Sequence, residues 1–427
     1  MKTEKLHSIF LNCKSVSIDT RKIEKDAMFF AIKGENFDAN TFAKKALSCG
    51  AKYAVIDNKD YYIDSRTIVV KNSLKTLQEL SSFHRKHLNI PIISITGSNG
   101  KTTTKEIINV VLSKKYKVKA TVGNYNNHIG VPLTLLSFTN ETEIGIVEMG
   151  ANHQKEIAFL CKIAMPDYGY ITNFGKAHLE GFGGVEGVIK GKSEMYDYLR
   201  HYAKKAFINK DDSIQVENSI GIKTIEFSQK DSNVDLFVSK VEANPFVTIC
   251  FEDIEVNSCL IGAYNANNIN AAILIGKYFE VDKNDIKLAI EGYKPTNNRS
   301  QIIFKNSNEI ILDAYNANPS SMEAALKNFI ELDKNNKVVF VGDMFELGKD
   351  SLKEHKAIVK SLTGLDNVKC VFVGESYFKC KQEDLNMFFY NSFDDLIQEI
   401  KKLEIKNATV LIKGSRGMAL ERILEHI

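Results

Sequence analysis

Residues Gly97, Ser98, Asn99, Gly100, Lys101, Thr102 and Thr103 have the types and spacing to hold a phosphate chain. Glycines let a backbone approach an anion closely, and the N–H groups at a helix start point towards it. Lys101 would reach the outer phosphates, and the Thr102 hydroxyl would ligate Mg²⁺. The loop is shorter than the common phosphate loop, with Ile95 where that pattern has its first glycine. A tight strand-to-helix turn with a solvated lysine is therefore the alternative. The flanks favour the nucleotide. The β-branched run 92–95 behind Pro91 reads as a buried strand, and 101–115 as a helix with Ile107, Ile108, Val111 and Leu112 on one face.

Three more groups could share that chemistry. The strand 144–147 ends at Glu148, the strand 168–172 leads into a loop carrying His178, and the helix 185–199 carries Lys190, Lys192 and Glu194. Alternating strands and helices imply a parallel sheet, and ligands bind at the carboxyl ends of its strands. The phosphate loop, Glu148 and His178 should then meet on one rim, with Lys192 nearby. A carboxylate and an imidazole beside a phosphate loop suit Mg²⁺. Taken singly, each also reads as an ordinary loop or helix-end residue.

Further polar clusters have two readings each. Ser17, Asp19, Thr20 and Arg21 could hold a phosphate or sugar, or form a capped turn. The loop 123–132, with Asn124, Asn126 and Asn127, offers amides to a polar substrate or simply turns the chain. Asn265 and Asn268 lie three apart on one helix face, so they could read a purine edge or cap the helix. Beyond them the strands 309–312, 338–341, 370–373 and 410–412 alternate with helices, and polar clusters follow where several of these strands end. Ser320 is placed to cap a helix over 322–332.

At 427 residues the chain is too long for one ordinary core. It divides into a small N-terminal α/β domain (1–85), a central parallel-sheet domain with the phosphate loop (86–296) and a C-terminal Rossmann-like domain (297–427), with the last boundary at the polar turn 295–298. In the first, 27–32 and 53–56 read as strands and 41–49 as a helix; 213–260 is β-rich, with no chemistry assigned. Composition is that of a soluble globular protein, with 44% hydrophobic and 26% charged residues. A net charge of +3 supports neither nucleic-acid binding nor a membrane surface. The run His84-Arg85-Lys86-His87 reads as a solvated helix end. Seven scattered cysteines without a C-x-x-C pair fit a reducing cytoplasm, and no stretch has the roughly 18 apolar residues of a membrane span.

Together these stretches resemble the Mur ligases of peptidoglycan synthesis along essentially the whole chain. Thr96-Gly97-x-Asn99-Gly100-Lys101-Thr102 resembles their ATP loop, which folylpolyglutamate synthetases share. Ser17-x-Asp19-Thr20-Arg21, Asn124-x-Asn126-Asn127-x-Ile129-Gly130-Val131-Pro132, Tyr315-Asn316-Ala317-Asn318-Pro319, Gly342-Asp343-Met344-x-Glu346-Leu347-Gly348 and Lys413-Gly414-Ser415-Arg416-Gly417 resemble the branch that adds D-alanyl-D-alanine. The resemblance implies a catalytic set of Lys101, Glu148, His178 and Lys192. In it Thr102, Glu148, His178 and Lys192 hold Mg²⁺, and Lys192 rather than Lys190 is carbamylated to serve a second ion. Asn265 and Asn268 would meet adenine, and Arg299 and Asp313 would lie near the nucleotide. Ser17, Asp19, Thr20 and Arg21 would hold the UDP-sugar, and Asn126, Asn127, Tyr315, Asn316 and Asn318 the remaining substrate groups. Two departures stand out: Tyr264-Asn265 where many relatives have His-Asn, and Leu312-Asp313 where many have paired aspartates.

The implied activity is an ATP-dependent ligase joining D-alanyl-D-alanine to UDP-N-acetylmuramoyl-tripeptide (UDP-MurNAc-tripeptide) through an acyl phosphate. It would act as a cytoplasmic monomer, without nucleic acid and without membrane insertion. Another amide ligase of the superfamily, or an ATP-binding protein without ligase activity, are the alternatives.

Overall fold

The computed structural model describes residues 1–296 and 298–427. Asn297, the first residue expected in the third domain, lies outside the described residues. The chain builds three sheets in succession. The first has four parallel strands in sequential order: β1 (Val16–Ser17), β2 (Met28–Phe30), β3 (Tyr53–Ile56) and β4 (Thr67–Val69).

The central sheet has nine strands: β5 (Ile92–Thr96), β6 (Val118–Ala120), β7 (Ile144–Glu148), β8 (Tyr168–Ile171), β9 (Lys205–Asn209), β10 (Lys223–Ser228), β11 (Leu236–Ala243), β12 (Phe246–Phe251) and β13 (Ile254–Ile261). Their order is β13-β12-β11-β10-β9-β8-β5-β7-β6; only the β11–β13 end is antiparallel. The last sheet holds β14 (Gln301–Lys305), β15 (Asn308–Asp313), β16 (Lys337–Gly342), β17 (Val368–Val373), β18 (Met387–Tyr390) and β19 (Thr409–Lys413). It runs β14-β15-β19-β16-β17-β18, parallel apart from the β14 edge.

β5 is buried at every position, on both faces, which is why its isoleucines do not alternate with exposed polar residues. Ile93 and Ile95 pack with Ile107, Ile108 and Val111 of the helix Lys101–Leu112. Ile92 packs on the opposite side with Leu160 and Leu199, from the helices Glu156–Ala164 and Val185–His201. The same apolar cluster runs on through Phe174 and Leu179 to Met322, Met344 and Leu347, so the central and C-terminal sheets share one core.

Several expectations need correction. The helix after Asn316 spans Pro319–Glu331, and its cap is Asn318, not Ser320. Proline at the first helical position fixes the start, and Ser321 completes the capping box. The helix after β7 begins only at Glu156, because Lys155 has φ 71° and lies outside it. The helix expected over 41–49 is a 3₁₀ turn, Ala39–Phe42, followed by Ala43–Ser48. The helix Ser213–Asn218 opens the β-rich stretch.

His84-Arg85 is not a solvated helix end. His84 is 2% and Arg85 7% exposed, on the helix Ser73–Leu88. Arg85 pairs with Asp167 at 2.7 Å and donates to the carbonyls of Ala164 and Met165, and a His84 ring nitrogen meets the Phe138 carbonyl at 2.9 Å. The last turn of this helix is thus the seam between the first two sheets. Among the described residues no helix is long and apolar enough to cross a membrane.

Candidate active site

A cavity of about 1170 Å³ opens at the carboxyl ends of the central strands, between them and the C-terminal sheet. The phosphate loop forms its floor. Gly97 (φ 138°) could not carry a side chain, since a Cβ there would stand 2.0 Å from Thr172 Oγ1; at Gly100 (φ 80°) it would stand 2.6 Å from Asn268 Oδ1. Asn173, which the sequence did not single out, braces the loop from the other side. Its Oδ1 accepts from Asn99 N–H at 3.1 Å, and its Nδ2 donates to the Asn99 carbonyl at 3.0 Å.

Lys101 Nζ folds back onto the Gly97 and Ser98 carbonyls at 2.6 and 3.2 Å. Burial lowers its pKa to about 8; Glu148 pulls it up and Arg299 pushes it down by lesser amounts. Thr102 Oγ1 donates to Glu148 Oε2 at 2.9 Å, and Asn126 Nδ2 donates to Oε1 at 2.8 Å. Glu148, 1% exposed, is therefore held by the phosphate loop and by the asparagine loop at once. Its N–H donates to Thr121 Oγ1 at 2.9 Å, and the Thr121 carbonyl accepts at 2.6 Å from Lys105, which is wholly buried. Neither Thr121 nor Lys105 was legible as a site residue, although Lys105 lies one turn after Lys101 on the same helix face.

His178 lines the cavity, and its Nδ1 bonds to the carboxylate of Glu346 from the C-terminal sheet. That bond, the largest influence, holds the Glu346 carboxyl below the usual range against partial burial. Lys192 is not in the cavity wall. It sits just behind, 1% exposed, donating to the Ala151 carbonyl at 3.1 Å with its Nζ 5.0 Å from the Phe182 ring centre. Burial first, and Lys101 second, push its pKa well below the ordinary lysine value. Lys190, the competing position, is exposed.

Asn265 and Asn268 do share a face and line the cavity, but they are already paired: Asn268 Nδ2 donates to Asn265 Oδ1 at 2.8 Å and its Oδ1 accepts from Thr104 at 3.0 Å. On the C-terminal side the Arg299 guanidinium stacks 3.6 Å above the Tyr315 ring, with Nε unpartnered and no carboxylate beside it among the described residues. Asp313 accepts from Ser300 N–H and from buried Lys413, a lysine known in the sequence only as part of a motif. Asn318 and Asn99 exchange amide hydrogen bonds of 2.7 and 3.4 Å, joining the phosphate loop directly to the C-terminal sheet. Asn316 and Asn127 line the same cavity with their side-chain oxygens bonded to local backbone N–H groups.

Ser17, Asp19, Thr20 and Arg21 are not brought to this cavity. They form a separate turn in which Asp19 accepts from Arg21 N–H, Nε and Nη2, and Arg21 holds the Asp19 carboxyl down at about 2.

Residues 12–96 match the model of the Mur ligase family catalytic domain, 95–276 the Mur ligase middle domain, and 298–416 the Mur ligase glutamate ligase domain. The UDP-N-acetylmuramoyl-tripeptide–D-alanyl-D-alanine ligase of Bacillus subtilis (strain 168) is 34% identical, over 96% of this chain and 92% of that protein. The ligase of the same name from Escherichia coli (strain K12) is 33% identical over the same shares. Among solved structures, MurF from Acinetobacter baumannii superposes with a TM-score of 0.88 at 27% identity, covering 100% of this chain and 98% of that one. MurF ligase from Thermotoga maritima, in complex with ADP, gives 0.84 at 27% identity, covering 97% of each chain. With a third of the residues identical over nearly the full length of both chains, and three family models following one another in order, the chain belongs to the Mur ligase family.

Proposed function

We infer that this chain is an ATP-dependent ligase that forms an amide between D-alanyl-D-alanine and UDP-MurNAc-tripeptide, giving the UDP-MurNAc-pentapeptide. The observation that carries this reading is one cavity whose floor is the phosphate loop and whose opposite wall, with Arg299, Asp313, Tyr315 and Asn318, comes from the C-terminal sheet. Its near full-length relatives carry that activity in their names. Neither another amide ligase of the superfamily nor a mere ATP binder is favoured by them.

The terminal carboxylate of the tripeptide attacks the γ-phosphorus of ATP. A bond to phosphorus forms, the bond to the bridging oxygen breaks, and ADP leaves. The amine of D-alanyl-D-alanine then attacks the acyl carbonyl, phosphate leaves, and the amine gives up a proton. Such transfers depend on positioning and charge neutralisation. Lys101 exchanges its loop carbonyls for the outer phosphates, and the unpaired Arg299 guanidinium meets them from the facing wall. Tyr315 keeps that guanidinium planar to the cavity by stacking. Asn265 and Asn268 support the loop at Gly100 and meet the adenine edge. The turn at Ser17, Asp19, Thr20 and Arg21 takes the UDP-sugar end, and Asn126, Asn127, Tyr315, Asn316 and Asn318 take the remaining polar substrate groups.

The donors fit Mg²⁺: a hydroxyl (Thr102), a carboxylate (Glu148) and an imidazole (His178). Among the described residues no three acidic, histidine or cysteine side chains are clustered as a ready-made cage. That suits an ion held by few protein groups and by substrate phosphates. When bound, Mg²⁺ neutralises charge on the transferred phosphoryl group. Lys192 as an ammonium would repel a second ion. Burial favours its neutral amine, which adds to CO₂ with loss of a proton to give a carbamate. The same reading places domain limits at 85/86 and 296/297. It also makes the protein a monomer, since one chain supplies the whole cavity, and places it in the cytoplasm, where its seven free cysteines suit a reducing medium.

Phosphate release from ATP and Mg²⁺, measured with UDP-MurNAc-tripeptide in the presence and absence of D-alanyl-D-alanine, tests the reading. Release that requires both, with a UDP-linked pentapeptide as product, is expected. Release with a single amino acid, or none despite ATP binding, would overturn it.

A further inference from the structure

The loop carrying His178 and the loop carrying Glu346 come from different sheets and meet at two points. His178 Nδ1 bonds to the Glu346 carboxylate, and Glu180 N–H donates to the Glu346 carbonyl at 3.2 Å. Both residues are held in the left-handed region, at φ 53° and φ 60°. Non-glycine residues adopt that conformation at some cost, and such strain is kept where the surroundings over-determine it. The approach is close: a Cβ on Gly348 would lie 3.2 Å from Glu180 Cβ.

Glu346 is presented by a rigid support. Asp343, in the same loop, accepts from the N–H groups of Ser376 and Tyr377 at 2.9 and 3.0 Å; Met344 N–H donates to His355 at 3.0 Å and Phe345 N–H to Ser415 Oγ at 2.9 Å. The Glu346 side chain is itself 52% exposed. A pair so open to water adds little stability. What it does fix is the imidazole. A carboxylate only accepts, so Nδ1 carries a proton, and in the neutral ring, the form a cation can use, the lone pair is on Nε2. Carboxylates that hold the far nitrogen of a metal-binding histidine in this way set its tautomer and ring orientation.

We propose that Glu346 is a positioning residue for the cation site: supplied by the C-terminal sheet, it turns His178 Nε2 towards the ion, so that the site is complete only while the two sheets are closed on each other. This rests on the reading of His178 as a cation ligand. It makes cation binding report domain closure, because the ligand and its orienting group lie on opposite sides of the seam.

The test is Mn²⁺ binding to the full chain loaded with ADP, followed by electron paramagnetic resonance. H178A and E346A should each weaken binding about tenfold or more, the usual effect of losing such an orienting partner. E346Q, whose amide oxygen still accepts from Nδ1, should recover much of the loss. K176A is the control for the seam, since Lys176 pairs with Glu354 across it at 2.8 Å without touching His178. It should bind Mn²⁺ as the parent does. If H178A binds normally, His178 is not a ligand and the underlying reading fails. If H178A loses affinity while E346A does not, only the positioning role fails. Equal losses in E346A and K176A would assign the effect to the seam as a whole and overturn the proposal.

Discussion

Lys105 Nζ has no access to water and stands between two acceptors, the Thr121 carbonyl at 2.6 Å and Glu106 Oε1 at 2.7 Å. Thr121 in turn fixes the backbone of Glu148. Lys105→Met keeps the volume and removes the donor. It should cost about 1–3 kcal/mol by leaving a buried carbonyl unsatisfied, read as a lower urea midpoint. It should also lower kcat roughly ten- to hundredfold through displaced Glu148; unchanged kcat would show that Glu148 is held without it. Lys192→Ala removes the buried amine altogether. Activity should fall by about a hundredfold or more, and added CO₂ should restore none of it; a fully active variant would end the carbamate reading. These two lysines also mark the limits of sequence reading. Lys192 was singled out by its place on the helix that follows the His178 loop, and the family resemblance preferred it to Lys190. Lys105 was not, because a lysine following a phosphate loop reads equally well as a solvated helix residue. Only the fold shows that its end reaches a neighbouring strand.

At the scale of elements, the helix Ser73–Leu88 determines how the first sheet sits on the second. His84 bonds to the Phe138 carbonyl with one ring nitrogen and to His7 Nε2, at 3.0 Å, with the other. His7 lies on the helix Thr3–Phe10, between Phe10 and Phe83, and faces His84 and His87 from the longer helix. Burial, then repulsion from His84 and His87, lowers its pKa from 6.5 to about 4. The unfolded chain therefore binds more protons than the folded one between those values. The contribution of a neutral His7 to stability should be full above about pH 6.5 and be lost as pH falls towards 4, by at most about 3 kcal/mol. The difference in urea midpoint between His7→Phe and the parent should move in the variant's favour from pH 7 to pH 5; a constant difference would contradict this. The charge run at 84–87 misleads in its first half because basic residues usually end a helix in water: Lys86 and His87 are exposed, but Asp167 and three backbone carbonyls receive His84 and Arg85. The cap at Asn318 could have been read, since Asn-Pro-Ser-Ser places proline at the first helical position. The central strands β5, β7, β16 and β19 were the most legible elements, being largely β-branched runs buried on both faces, whereas the edge strands β1, β4, β6, β14 and β18 were not read.

For the molecule as a whole, the alternation of strands and helices made three α/β units and a shared rim legible, but not how the rims face one another. That depends on contacts distant in sequence, such as Asn99 with Asn318 and the Lys176 N–H with Ser320 Oγ at 2.8 Å. Those contacts bridge the two walls of the cavity beside the phosphate loop, and release of product is expected to require that they part. The seam offers a direct way to test this. A Cβ built on Gly175 lies 3.1 Å from Ser320 Cβ. That is a few tenths of an ångström short of the usual ~3.5–4.5 Å between bridged cysteines, so a slight opening would admit a disulfide. Gly175→Cys with Ser320→Cys should therefore cross-link on mild oxidation. The locked enzyme should lose steady-state turnover, and reductant should restore it. The parent, oxidised in the same way, controls for its own seven cysteines. If the protein is locked after substrates are bound, one phosphate per chain should still be released, because the chemical step needs the closed seam while product release needs the open one. Steady turnover in the cross-linked protein would mean that the two sheets need not separate between cycles, and the seam would then be a fixed joint.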